Sequence, residues 1–286
     1  MIGIENIQSA VGDCLVKAGT SYRPDQMDAY RRAIAAETND NARWVLERLV
    51  ENFEIADKNA SPLCDDTGIP HVLIEVGEDA ELPGGWLRAV RSGVADGLRR
   101  MPGRPMGIMG DDVQRVEQSL GLYEDPAEVL PAPMLVTEVP GKSLSVTVLM
   151  LGGGPEIRAK TLRVFHKRSM DTVVGEAASW LASEVKNLGC TPCVLAVGMG
   201  RTHFEASSMM LRAMKEGDLS VQSPFETKIT DRVNATGVGP LGLGGQTTAL
   251  GTFLKVGPMR ASGVRIVSAR PCCCIEPRRA TVTIGG

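Results

Sequence analysis

Ser61-Pro62-Leu63-Cys64-Asp65-Asp66-Thr67-Gly68-Ile69-Pro70 stands between a helical pattern and a strand-like run, His71-Val72-Leu73-Ile74-Glu75-Val76. Prolines at 62 and 70 and glycine at 68 force a sharp, rigid turn there. Such a turn gathers a thiol and two carboxylates on a loop, where chemistry usually sits. Two readings are open. In one, Cys64 is a soft metal ligand and Asp65 and Asp66 are proton-transfer or binding groups. In the other, Asp65 or Asp66 caps backbone N–H groups, and Cys64 is a small buried apolar residue.

Ahead of the turn, apolar residues repeat at helical spacing. Ile4, Ile7, Val11, Leu15 and Val16 predict a helix over 3–20 that stops near Gly19. A second runs from Pro24 to about Glu37 and buries Met27, Tyr30 and Ile34; a third, capped by Asp40, presents Val45, Leu49 and Phe53. The first sixty residues read as a helical platform whose Met and aromatic positions are core. A helix over 84–100 carries Arg88, Arg91, Arg99 and Arg100 toward its end, followed by a loop over 102–110 and a polar helix over 111–122. The period then shortens. Residues 133–139 and 143–151, joined by Pro140-Gly141-Lys142, predict a hairpin. Gly152-Gly153-Gly154 either admits close backbone approach and offers N–H groups to an anion, or is a flexible turn. Further strands are expected at 157–165, 194–197, 263–269 and up to 284, with helices at 171–188 and 204–216. The class is mixed α/β: a helical N-terminal platform, then mixed or antiparallel sheets with packed helices, in one domain over 1–286.

With 286 residues, 43% of them hydrophobic, the chain can bury a sizeable core. A net charge of −3 leaves no electrostatic footprint for nucleic acid. No apolar run reaches the roughly 18 residues a membrane span needs, and no signal-peptide pattern opens the chain. A cytoplasmic protein is expected. Seven cysteines (14, 64, 190, 193, 272, 273 and 274) are an odd count in such a chain, which favours metal binding or catalysis over disulfides. Only Cys190-Thr191-Pro192-Cys193 has the close spacing of a zinc ligand pair, so zinc is not expected. The run 237–242 matches G-x-G-x-x-G, but no strand precedes it and no acidic ribose partner follows. It reads better as a tight loop bordering an active site than as a nucleotide site. Side chains of adjacent residues on an extended chain alternate, so one or at most two of Cys272, Cys273 and Cys274 can face one site. Cysteine thus occupies three separated loop positions: 64, 190 and the 272–274 group. Three thiolates are one fewer than an electron-transfer iron–sulfur cluster usually has. On a four-iron cube they leave one iron open to act as a Lewis acid, which suits a hydro-lyase better than a ferredoxin.

These motifs resemble the α subunit of the iron–sulfur-dependent class I fumarase / tartrate dehydratase family. Cys64-Asp65-Asp66-Thr67-Gly68 is similar to that family's Cys-Gln-Asp-Thr-Gly, and residues 133–156 to its strands and triple glycine. Cys190 through Gly198 and the glycine run 237–248 follow the family's later motifs, and Arg278 four residues on selects Cys274 from its group. The resemblance implies an oxygen-sensitive [4Fe-4S] cluster held by Cys64, Cys190 and Cys274, and reversible removal of water from a small hydroxy dicarboxylate. It implies Asp66 as the catalytic acid, with Asp65, Arg99 (or Arg104) and Gly154 binding substrate. It further implies a β subunit that completes the site, in a hetero- or homo-oligomer.

Departures bear on the substrate. Asp65 stands where the family has a neutral Gln, and a carboxylate facing a substrate carboxylate is repulsive by about 1–4 kcal/mol. Leu151 replaces a lysine, Ile157-Arg158 an Asn-Lys stretch, and the histidine that the family has a short way before its third cysteine is missing, the only histidines being 71, 166 and 203. The loop between Arg99 and Pro131 is longer. These changes predict a substrate lacking one of fumarate's carboxylates, or carrying a hydroxyl, amide or amine there. Competing expectations are an ordinary fumarase or tartrate dehydratase α subunit, a redox-sensing iron–sulfur protein, and a scaffold subunit without chemistry.

Overall fold

The computed structural model describes residues 2–101 and 103–285. Its elements in chain order are α1 (Ile4–Thr20), α2 (Pro24–Ala36), α3 (Asp40–Asn59), β1 (Ile69–Gly77), α4 (Trp86–Arg100), α5 (Asp112–Glu117), β2 (Leu135–Val139), β3 (Leu144–Leu151), α6 (Gly153–Glu156), β4 (Lys160–Phe165), α7 (Met170–Glu184), β5 (Cys193–Gly200), α8 (His203–Glu216), α9 (Pro224–Asn234), β6 (Ala249–Val256), β7 (Val264–Cys272) and β8 (Arg278–Ile284). The mixed α/β class expected from the periodicity is what forms. No helix of the described residues is long and apolar enough to cross a membrane.

The chain groups into two compact units, one made of residues up to Ser21, Phe53–Gly152 and the segment from Arg278, the other of Tyr22–Asn52 and Gly153–Pro277. The first sixty residues are helical, as their spacing requires; α1 belongs to the first unit and α2 to the second. Pro102, at the head of the expected 102–110 loop, lies outside the described residues.

In the first unit a sheet of order β2-β1-β3-β8 carries α1 and α4. Val72 and Ile74 of β1 and Val146, Val148 and Met150 of β3 bury against Ile7, Val11 and Leu15 of α1 and Val90, Val94 and Leu98 of α4. The expected hairpin does not form. β1 lies between β2 and β3, parallel to the first and antiparallel to the second. The turn after β2 spans the width of one strand because β1, apolar through its middle, takes the central place and leaves half-exposed β2 at the edge.

The second unit holds a sheet of order β4-β7-β5-β6, in which β5 and β6 are parallel and β7 runs antiparallel to β4 and β5. Every residue of β5 is buried, as a central strand covered on both faces should be. Val173, Val174, Ala177 and Leu181 of α7 and Ile229 and Val233 of α9 close over Leu195, Val197, Val267 and Ala269. The helix α9 and the strand β6 escaped the sequence reading. A capping box was legible for the first: Ser223 accepts from the Glu226 N–H, Glu226 reaches back, and Pro224 opens the helix.

Candidate functional site

Each unit gathers its motif residues at one end of its own sheet. In the first, the Cys64 turn runs directly into β1, whose Ile69 pairs with Leu151 at the end of β3. Arg278, opening β8, pairs with Met150 on the other side. The turn is a built object. Leu63 N–H donates to the Gly19 carbonyl at 3.0 Å, and Asp66 Oδ1 accepts the Gly68 N–H at 3.1 Å. Thr67 Oγ1 accepts the Arg104 N–H at 2.7 Å. Gly68 has φ +82°, and a Cβ there would stand 2.6 Å from Arg278 Nη2 and 2.9 Å from the Leu151 backbone, so only glycine fits. Arg278 is buried, its Nε donates to the Met150 carbonyl at 3.2 Å, and its Nη2 has no hydrogen-bond partner. The capping reading of the turn is thus realised by Asp66, while Cys64 is half-buried rather than core.

Arginine placement differs between the two candidates. Arg104 reaches the turn, with Nη1 2.8 Å from the carboxylate of exposed Asp65. Arg99 is instead held at the end of α4 by Asp125, through bonds of 3.1, 3.1 and 2.6 Å. Hydrogen bonding to Arg99 and to the Ala127 N–H holds the Asp125 carboxyl below its usual range.

In the second unit two cysteine turns are joined. Cys274 N–H donates to the Cys190 carbonyl at 2.9 Å. The Cys274 carbonyl in turn accepts from three side chains on or beside α2: Tyr30 Oη at 2.6 Å, Tyr22 Oη at 3.1 Å and Gln26 Nε2 at 3.5 Å. Spacing of four residues puts these three on one face. Burial, followed by the nearby thiols, raises the Tyr30 hydroxyl well above its ordinary range, so it stays a proton donor. Arg23 Nη1 adds a bond to the Pro277 carbonyl at 2.7 Å. From the other side, fully buried Arg270 bonds Glu276 and Glu156, each at 2.9 Å. Burial alone would lower the guanidinium pKa, but the carboxylates, Glu276 foremost, outweigh it and raise it. Through Glu156 this pair also anchors α6, the turn that carries Gly154; Gly154 itself is exposed and faces open space.

The glycine run borders the Cys190 turn, as the sequence suggested for a tight loop. Thr191 Oγ1 donates to the Gly239 carbonyl at 2.5 Å, and Leu241 N–H to the Thr191 carbonyl at 3.0 Å. Buried Glu37 pins the far side of the run, accepting from the N–H groups of Thr38, Asn39 and Gln246 at 2.9–3.0 Å. Burial pushes its carboxyl up, and these N–H bonds outweigh burial to leave it lowered. Sequence reasoning missed Glu37, Arg270, Glu276 and the Tyr22-Gln26-Tyr30 face; the four-residue repeat of these hydrogen-bonding groups was the one visible signal.

The thiols sort by environment. Cys14, Cys193 and Cys272 are buried, and burial pushes the Cys14 thiol up to about 11 and raises the other two as well. Such thiols are inert, poor ligands. Cys64, Cys190 and Cys274 sit on turns: Cys190 is exposed, Cys64 is half-buried as Cys273 is, and Cys274, at 9% exposure, is buried. Among the described residues no three His, Cys, Asp or Glu side chains stand together as a metal-binding group within either unit. The donor chemistry nevertheless suits an iron–sulfur cluster: soft thiols on rigid turns, two of them joined through their own backbones.

Comparison with known proteins agrees with the motifs. The family model described as fumarate hydratase (Fumerase) matches residues 8–283. A Methanocaldococcus jannaschii protein named "Putative L(+)-tartrate dehydratase subunit alpha" is 23% identical over 257 residues, covering 85% of this chain and 86% of its own length. Proteins named L(+)-tartrate dehydratase subunit alpha from Escherichia coli strain UTI89 and Shigella boydii serotype 4 are 19% identical, covering 98% of this chain and 91% of theirs. With residues 8–283 matched, the chain belongs to the fumarate hydratase family, a family of hydro-lyases.

Proposed function

We propose that this chain is the α-type subunit of an iron–sulfur hydro-lyase that adds and removes water on a small hydroxy dicarboxylate or a close analogue. The observation that carries the reading is the 2.9 Å bond from the Cys274 N–H to the Cys190 carbonyl, which joins two cysteines that separate motifs select. Cys64, Cys190 and Cys274 are the thiolates that would hold a [4Fe-4S] cluster. When bound, that cluster supplies an iron with an open position, a Lewis acid for a substrate hydroxyl or carboxylate. The chain's own residues supply the rest. Asp66, whose Oδ1 is steadied by the Gly68 N–H, moves the proton. Arg104, already at Asp65, is the better donor to one substrate carboxylate, with Arg99 the alternative. The Gly154 backbone receives another. The "subunit alpha" in the relatives' names supports a β partner that completes the site. Cytoplasmic location and loss of activity in oxygen belong to the same reading.

The Asp65–Arg104 pair bears on the substrate. An unpaired Asp65 would repel a carboxylate, but a guanidinium at 2.8 Å offsets that charge. This favours an ordinary dicarboxylate such as tartrate or malate over a substrate that has lost one carboxylate.

The test is anaerobic purification with the second subunit, iron and sulfide analysis, and turnover of tartrate, malate and fumarate. Cys64→Ala, Cys190→Ala and Cys274→Ala should each lose iron and activity, while Cys14→Ala and Cys193→Ala retain both. Full iron content in any of the first three variants would remove that residue from the ligand set. Turnover of none of the three acids by loaded enzyme would restore the altered-substrate reading.

A further inference from the structure

The other end of the second unit's sheet carries a feature that the hydro-lyase reading does not use. Six residues along β5 from Cys193, about 20 Å at the rise of a strand, a cavity of about 410 Å³ opens beside Met199. Its floor is apolar: Met170, Val173, Met199, Val256 and Met259. Its rim carries the cations Arg168 and Arg265 with His166 beside them, and a neighbouring hollow of about 200 Å³ shares Met259 and Arg265 and adds Arg260 and Arg201. β5 and β6 are parallel and the cavity lies at their C-terminal ends, where open α/β sheets commonly take ligands.

The charges are uncompensated. Among the described residues no carboxylate pairs with Arg168, Arg260 or Arg265; Arg201 is taken up by Glu205, and Asp171 in the first turn of α7 by Lys228. Half-buried Arg265 is spent on holding its loop, with Nη1 donating to the carbonyls of Arg260, Ser262 and Val264 at 3.1–3.4 Å, all neutral acceptors. The rim is also rigid. His166 Nε2 donates to the Ser262 carbonyl at 2.6 Å, its Nδ1 accepts the Arg168 N–H at 2.9 Å, and the two loops are thereby joined. That contact fixes Lys167 and Arg168 in the left-handed region, at φ +48° and +56°, a strain usually found beside ligand sites. The N-terminus of α7, capped by Ser169, opens onto the same space and adds its dipole.

We infer that this cavity binds a phosphorylated small molecule carrying an apolar ring or chain. Two exposed guanidinium groups, Arg168 and Arg260, backed by the charge of loop-bound Arg265 and all without counter-ions, call for a multiply charged anion, which the arginine fork grips in two-point fashion. A simple carboxylate would leave most of that charge unmet, and five apolar side chains beneath it would be idle.

Equilibrium binding of AMP, pyrophosphate and adenosine to the full chain tests the assignment without any cluster. AMP should bind saturably and more tightly than either fragment, and less tightly as salt is raised. Arg168→Glu combined with Arg260→Glu, both exposed and outside the core, should weaken AMP and pyrophosphate by roughly tenfold or more. Met259→Ser should weaken AMP and leave pyrophosphate unchanged, with the thermal melt confirming that each variant is folded. Absence of saturable binding by AMP and pyrophosphate would overturn the proposal. So would binding that survives the charge reversal, or adenosine binding as tightly as AMP.

Discussion

The Cys64 turn and the paired Cys190 and Cys274 turns carry the same chemical group on opposite kinds of support. The Cys64 turn is held by backbone bonds and by the shape of one glycine, and its charged groups are exposed: Asp65 and Arg104 have side chains 86% and 55% accessible. The Cys274 turn is gripped by fully buried groups, Tyr30 and Arg270 among them, through bonds that cross more than two hundred positions of sequence on one side. The first therefore leaves its charged side chains in solvent, where changing them should cost little stability. The second is fixed by the core of its unit, and changing its supports should cost stability as well as chemistry.

Five measurements would break or sharpen that contrast. The largest effect is expected for Arg270→Met, which leaves Glu276 charged and buried without its partner. Loss of one member of a buried pair costs about 3–5 kcal/mol, read as a lower denaturant midpoint; an unchanged midpoint would show that the grip is dispensable. Alkaline pH comes next, and tests the first unit away from its turn. The folded state holds the Cys14 thiol at about 11 against an ordinary 9.0, so its contribution is complete below pH 9 and is lost as pH rises toward 11. At 1.36 kcal/mol per pH unit that is roughly 2–3 kcal/mol, and Cys14→Ala should flatten the slope of stability against pH in that window. A Gly68→Ala change forces a left-handed backbone and a contact with Arg278 Nη2, for about 2–3 kcal/mol. Were Gly68→Ala neutral, the first turn would be looser than its geometry implies.

Smaller effects follow. Tyr30→Phe removes the shortest of three bonds to the Cys274 carbonyl and should cost about 1–2 kcal/mol. In the iron-loaded protein it should also shift the visible absorption, which a purely structural loss would leave alone. The smallest stability change is expected for Asp65→Asn, since exposed ion pairs contribute about 0–1 kcal/mol and less in salt. A large loss of stability from Asp65→Asn would erase the distinction between the two kinds of turn.

Much of this was legible along the chain. The helical spacing before residue 60, the prolines and glycine of the Cys64 turn, and the stop at Gly189 all fixed elements that the structure contains. The motifs also led to a family that the comparison bears out. What misled was the Pro140-Gly141-Lys142 turn, whose local signal is that of a hairpin but whose flanking strands are separated by β1. Arg99 and Arg104 could not be told apart from sequence; Asp125 occupies one and Asp65 the other. Glu37 read as the end of a helix, and only the folded chain brings the glycine run to its carboxylate.

By itself the sequence determined the periods, the breakpoints and the residue types at the turns, because helix spacing, proline and glycine act on their immediate neighbours. Strand order, the burial of four of the seven thiols, and the clamp on Cys274 were decided only by the tertiary structure. Those depend on which apolar faces bury against each other, and no stretch of ten residues carries that information.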